Sequence, residues 1–333
     1  MKLDVFFPPS VQLSQVVEHS KAAESAGFDG VWMAETQHDP FMACALAAAN
    51  TDTIEIGTGI AVSFARSPNT LAHKAWDLSE LSGGRFILGL GTQVKPHIEK
   101  RFGMEWPKSP IKKFREQINA IRAIWKSWET GERIRFKGEY YNLTLSSPFF
   151  TPARIKHPDI PIYIAGVNIR MAGLAGEAAD GFQVHPFHTP KYLKEVLKPA
   201  IQEGAEKAGR NPEDIKLVVN AFAAVNQTDR EMARQQIAFY ASTPSYRKVM
   251  TLHGWEAVAE ELSALASKQN WVEMPGLITD EMLEIFVTVQ PLDNLADALK
   301  ERYEGIADRL TVYTPFQPNE RTDFWAVLRE KIN

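Results

Sequence analysis

Residues 54–91, IEIGTGIAVSFARSPNTLAHKAWDLSELSGGRFILGLG, constrain the fold more than any other stretch of the chain. Ile54, Ile56 and Ile60 with Thr58 form a β-branched run that predicts a strand, and Ser67-Pro68 supplies an N-cap with a first-turn proline. Leu71, Ala75, Leu78 and Leu81 then recur at helical spacing until Gly83-Gly84 ends the helix, and Phe86-Ile87-Leu88-Gly89-Leu90 predicts a second, buried strand. Two parallel strands joined by a crossover helix follow. Units of this kind present the carboxyl ends of their strands as a working edge, here Gly59-Ile60 and Gly91-Thr92-Gln93.

The same alternation runs along almost the whole chain. Apolar segments at 3–7, 30–34, 54–60, 86–90, 161–165, 181–184, 215–225 and 309–313 predict eight strands, separated for the most part by amphipathic helices. This pattern argues for a parallel sheet with helices outside it, and eight strands argue for a closed (β/α)8 barrel of the α/β class. Barrels reach 333 residues as one unit, so a single domain over 1–333 is expected. Two stretches exceed the minimal barrel. Residues 133–158 predict a hairpin and an extended loop, and residues 243–291 predict additional helices over one end. Trp125, Trp128, Trp255 and Trp271 fall in helical contexts at core spacing and are expected inside.

A formal net charge of -4 gives no general attraction to nucleic acid or to an anionic membrane, which leaves a small-molecule ligand as the expected partner. The single cysteine, Cys44, excludes an internal disulfide and a cysteine-rich metal cluster, and its Ala-rich setting predicts a buried thiol. No signal-peptide pattern and no run of about 20 apolar residues is present, so a cytoplasmic protein is expected.

Three strand ends carry the candidate chemistry. After the second strand comes Glu35-Thr36-Gln37-His38-Asp39-Pro40, where His38 is the best acid or base because an imidazole changes charge near neutral pH; the competing reading is that His38 and Asp39 cap the next helix. After the fourth strand, Thr92, Gln93 and His97 add small and polar groups to the same rim. After the fifth, Gly166-Val167-Asn168 opens a helix whose free N–H groups, with Arg170, suit a phosphate. No GxGxxG pattern accompanies it. His185 and His188 follow the sixth strand, but neither an HxH pair at the first strand end nor an HExxH motif supports a metal, so none is expected.

The segments AESAGFDGVWMAE, IGTGI, RSPNTLA, LSGGRFILGLG, FKGEYYNL, and IAG followed by AGEAADGF together resemble the luciferase-like superfamily of flavin and deazaflavin oxidoreductases. ETQHDPF, LGLGTQVKPHIEKRFGMEW and QIAFYASTPSYR are most similar to its coenzyme F420-dependent subgroup. The resemblance implies a (β/α)8 barrel with an insertion, a homodimer, and a cofactor ring over the strand ends resting on a non-prolyl cis peptide at Gly59–Ile60. It also implies a phosphate held after the fifth strand at Gly166, Val167 and Asn168. The family's luciferases carry a histidine directly after the second-strand glutamate, where this chain has Thr36, and its sugar-phosphate dehydrogenases carry a glutamate after the fourth strand, where this chain has Gln93 and Val94.

The expected activity is hydride transfer between F420 and a carbonyl, alcohol or activated alkene. The alternatives are a reduced-FMN monooxygenase and a non-catalytic flavin-binding barrel. Glu35, Gly59, Ile60, Thr92, Gln93, Gly166, Val167, Asn168 and Arg170 are the expected cofactor contacts. His38, Gln93 and His97 are expected at the reacting centre, and Phe64, Arg66, His185 and His188 on the substrate side.

Overall fold

The computed structural model describes residues 1–332. Eight strands, β1 (Lys2–Phe6), β2 (Gly30–Met33), β3 (Glu55–Thr58), β4 (Phe86–Gly91), β5 (Ile162–Gly166), β6 (Gly181–Val184), β7 (Lys216–Ala224) and β8 (Arg309–Val312), pair in parallel with their sequence neighbours. β8 returns to pair with β1, Lys2 opposite Arg309 and Asp4 opposite Thr311, which closes the (β/α)8 barrel.

The 54–91 unit forms for the reasons visible in its residues. Ser67 Oγ accepts the Thr70 N–H at 3.1 Å ahead of Pro68, starting the helix Pro68–Leu81, and Gly83 and Gly84 leave it with positive φ. One expected strand is interrupted, however. β3 ends at Thr58, the Gly59–Ile60 peptide is cis, and the chain resumes as a two-residue strand, Ala61–Val62, beside Leu90 and Gly91. Residues 136–143 form a small antiparallel hairpin. Within 243–291 the helices Arg247–Thr251, Glu256–Ser267 and Asp280–Phe286 are present, but Val287–Val289 forms a strand along Phe222–Ala224, because this β-branched triplet finds an open edge on the long β7.

The main hydrophobic core lies between barrel and helices, with Leu3, Val5, Ile56, Leu88, Leu90 and Ile164 pointing outward from the strands into it. Alternate residues face the barrel axis. Its lower layer is ionic: Arg309 holds Asp4 through two bonds of 2.6 and 2.7 Å and also pairs with Glu55, while Asp4 accepts the Trp32 Nε1–H at 2.9 Å. Burial pushes the Asp4 carboxyl up, opposed by Arg309 and the indole. Above it Trp32, Ile87, Tyr163 and Val218 form a separate apolar layer. The tightest glycines here leave no room for a side chain: a Cβ on Gly57 would stand 2.2 Å from the Trp32 ring, and one on Gly89 would stand 1.7 Å from the Thr58 carbonyl oxygen. This plug fills the barrel interior beneath the strand carboxyl ends.

Trp125 and Trp128 are buried, and Trp125 Nε1 donates to the Ala72 carbonyl at 3.1 Å. Trp271 departs from expectation. It lies outside any helix and is 48% exposed against Phe239, because the segment between Glu256–Ser267 and the next helix passes over the surface. Cys44 is a buried free thiol whose pKa burial raises. No helix among the described residues is long and apolar enough to cross a membrane.

Candidate functional site

A cavity of about 1120 Å³ opens above the barrel plug, and strand ends, loops and the 243–291 segment all contribute to its wall. On its floor Gln183 Nε2 donates to the Thr58 carbonyl at 3.2 Å, and Thr58 is itself tied to Gly89 through its hydroxyl. The interrupted end of β3 brings Gly59 and Ile60 to the wall, held by Gly59 N–H on the Met33 carbonyl at 2.9 Å and Glu35 N–H on the Ile60 carbonyl at 3.2 Å. Beside them Thr92 and Gln93 line the cavity. Gln93 has a φ of 60°, uncommon for a side-chain-bearing residue, and its Oε1 turns back onto the Val94 N–H at 3.0 Å.

The loop after β2 divides its two candidate residues between the two readings of the sequence. Asp39 is the cap: its carboxylate accepts the Phe41 N–H at 2.9 Å and starts the helix Pro40–Ala48. His38 makes no such bond. The residue lines the cavity, and its Nε2 is buried without a hydrogen-bond partner. Asn220 Oδ1, on β7 and also facing the cavity, is a second buried polar atom without a partner. Such atoms are costly unless a side-chain rotation brings them to a partner, and both residues stand where a cavity ligand could provide one.

At the far wall β5 leads through Gly166, Val167 and Asn168 into the helix Ile169–Ala178. Asn168 caps this helix by accepting the Met171 N–H at 3.0 Å, and the Tyr192 hydroxyl donates to the Val167 carbonyl at 2.9 Å, which pins the loop. Early N–H groups of the helix therefore remain for a ligand, with Arg170 alongside and Lys248 contributed by the 243–291 segment. The donor set suits a phosphate.

Several expected contacts stand elsewhere. Glu35 does not reach the cavity: its carboxylate takes both Arg66 Nη1 at 2.7 Å and Nη2 at 3.0 Å and accepts the Val62 N–H at 2.6 Å. Arg66, expected on the substrate side, is occupied by Glu35, by Asp39 at 3.0 Å and by the Val62 carbonyl at 3.0 Å, so the two residues brace the β2 loop against the β3 interruption. Phe64 is 2% exposed in the outer core, edge-on to Trp106 and Phe114. His97 is exposed on the helix Lys95–Lys100, which turns Ile98 inward instead. His188 is sealed behind the wall with Nε2 3.2 Å from the Tyr303 hydroxyl, and burial pushes its pKa down to about 4. His185 does line the cavity. Burial and the neighbouring His188 lower its pKa to about 3, so it is neutral at pH 7; Nδ1 accepts the Phe187 N–H at 3.1 Å, leaving Nε2 as a donor.

The wall also holds Trp106, Ser245, Tyr246, Lys248 and Tyr313, which strand-end reasoning missed. Tyr246 and Tyr240 flank the His185 ring with centroids 4.7 and 4.6 Å away, and the Tyr240 and Tyr313 hydroxyls meet at 2.7 Å. The available signal was QIAFYASTPSYR, which contains Tyr240, Ser245 and Tyr246 but no spacing that fixes their direction. Among the described residues no three His, Cys, Asp or Glu side chains converge as a metal site.

The model of the luciferase-like monooxygenase family matches residues 1–309. An uncharacterised protein of Mycobacterium tuberculosis is 44% identical over 316 residues, covering 93% of this chain and 92% of its own. An F420-dependent glucose-6-phosphate dehydrogenase of Nakamurella multipartita is 31% identical over 242 residues, covering 69% of this chain and 68% of its own. Among solved structures, the coenzyme F420-dependent tetrahydromethanopterin reductase of Methanopyrus kandleri superposes with a TM-score of 0.79 at 23% identity, covering 99% of this chain and 98% of that one.

Proposed function

The chain belongs to the luciferase-like monooxygenase family, and from that premise we propose that it is an oxidoreductase using coenzyme F420 and a small carbonyl, alcohol or activated alkene. The observation that carries the reading is His38, an imidazole that lines the same cavity as the Gly59–Ile60 interruption and whose Nε2 has no hydrogen-bond partner. Relatives named for F420 support the choice of cofactor.

The residues present fit such a group. The cavity exceeds the usual range of roughly 300–1,000 Å³ for small-ligand sites, and its far wall combines helix N–H groups with Arg170 and Lys248, two cations that have no carboxylate partner among the described residues. Gly166, Val167, Asn168 and Arg170 would hold the phosphate, and Gly59, Ile60, Thr92 and Gln93 would border the ring. When bound, the deazaflavin supplies a hydride at C5 and, having carbon in place of the reactive flavin nitrogen, reacts poorly with oxygen.

The chain's own work is orientation and proton transfer. His38 Nε2 delivers a proton to the substrate oxygen in reduction and removes it in oxidation. His185, neutral, offers Nε2–H as a fixed hydrogen bond rather than a proton. Arg66 and Glu35 hold the His38 loop at a set distance from the β3 interruption. The homodimer implied by the family resemblance belongs to this proposal, and light scattering measures it.

Titrating the purified protein with F420 and with FMN, followed by cofactor fluorescence, tests the reading. Micromolar F420 binding is expected. Binding of FMN alone at that level would favour the monooxygenase alternative, and F420 binding without turnover of any carbonyl or alcohol would favour a non-catalytic barrel.

A further inference from the structure

The two ends of the cavity differ in chemistry. The end near β5 carries Asn168, Arg170, Ser245 and Lys248. The opposite end, between the loop after β1 and the helix Pro40–Ala48, is walled by Phe7, Val11, Leu13, Val16, Met33 and Ala43. These are apolar side chains throughout, and Val11, Val16, Met33 and Ala43 are all under 9% exposed, which is the signature of an inward recess rather than a surface groove. Asp39, which also lines the cavity, is already paired with Arg66 and bonded to the Phe41 N–H. His38, from the same loop as Asp39, stands where this apolar recess meets the rest of the cavity wall.

We propose that this recess binds the hydrocarbon part of the substrate, so that the substrate is an uncharged ketone, aldehyde or alcohol with an apolar chain whose oxygen meets His38. This rests on the oxidoreductase reading above and narrows its substrate class. The physical argument is one of desolvation. A phosphate or carboxylate placed in the recess would lose its water and find no donor, whereas each methylene gains from leaving water. The cations on the cavity wall, Arg170, Lys248 and Lys95, stand at the β5 end and on the β4 rim, away from this recess.

Binding of 2-alkanones from three to ten carbons to the full chain, measured by calorimetry with and without F420, tests the assignment apart from turnover. Affinity is expected to rise about fourfold per methylene until the recess is full, then level off. The carboxylate of matching length is expected to bind at least tenfold more weakly than the ketone. Ala43→Phe is expected to move the plateau to shorter chains. Leu13→Ala, at a partly exposed wall position where folding is less at stake, is expected to lower the gain per methylene for the longest ketones. A flat dependence on chain length, a preference for the carboxylate, or a length profile unmoved by both variants would overturn the proposal. Length-dependent binding without F420-linked turnover would uphold the recess and sink the hydride-transfer reading instead.

Discussion

Arg66→Ala is the sharpest perturbation of the frame around the site. The guanidinium makes two bonds to Glu35, one to Asp39 and one to the Val62 carbonyl, all between 2.7 and 3.0 Å. Its side chain is 12% exposed and that of Glu35 only 7%, against 37% for Asp39. The Asp39 contact therefore belongs with surface pairs, worth about 0–1 kcal/mol. Glu35 is different: removing Arg66 leaves a buried carboxylate whose one donor among the described residues is the Val62 N–H, a situation that costs about 3–5 kcal/mol. The expected loss for Arg66→Ala is about 3 kcal/mol, with most of it absent when Glu35→Gln is already in place. Urea unfolding of the two single variants and the double variant measures the coupling, expected to be at least ~2 kcal/mol. Because the pair also braces the loop bearing His38, turnover is expected to fall by up to about 100-fold with cofactor affinity less affected. A cost under about 1 kcal/mol with an unchanged urea slope, or a loss in the variants that simply adds, would refute the brace.

Three further outcomes are expected. His38→Ala should lower kcat by about 10²–10⁴ while F420 binding, read by fluorescence, stays within a few-fold; unchanged turnover removes His38 from proton transfer. Asn168→Asp should keep the helix cap and the unfolding midpoint yet weaken F420 binding at least about tenfold by setting a carboxylate beside the phosphate, whereas Asn168→Ala should also cost about 1 kcal/mol of stability. His188 links stability to pH. Its folded pKa of about 4 lies below the ordinary 6.5, so between these values the unfolded chain binds a proton that the folded chain refuses. Stability contributed by the neutral ring is thus intact above pH 6.5 and declines as pH falls toward 4, with a limiting slope of about 1.4 kcal/mol per pH unit. His185, lowered to about 3, adds a slope of the same sign, so in urea titrations at pH 4.5 to 7.5 His188→Leu is expected to reduce the total slope by about 1.4 kcal/mol per pH unit and not to abolish it, and an identical slope would refute it.

What the sequence by itself determined was the barrel and its rims. Periods, caps and glycine stops are local, so the eight strands, the Ser67 cap and the helix opening at Asn168 were legible from neighbouring residues. The cis bond at Gly59–Ile60 was legible too, though only through likeness to a family. Side-chain direction beyond the strand ends was not legible. Glu35, Arg66, Phe64, His97 and His188 lie within a few residues of the rim in sequence, yet none of them lines the cavity: burial or charge pairing took Glu35, Arg66, Phe64 and His188, and the phase of the helix Lys95–Lys100 turned His97 to solvent. Conversely, Tyr246, Lys248 and Asn220 entered the wall because closure of the barrel and the crossing of the 243–291 segment brought distant residues together. Local propensity acts over a few residues of chain, whereas a cavity is defined by whichever side chains remain after packing has paired or buried the others. That selection depends on contacts between residues far apart in sequence, and only the tertiary structure decides it.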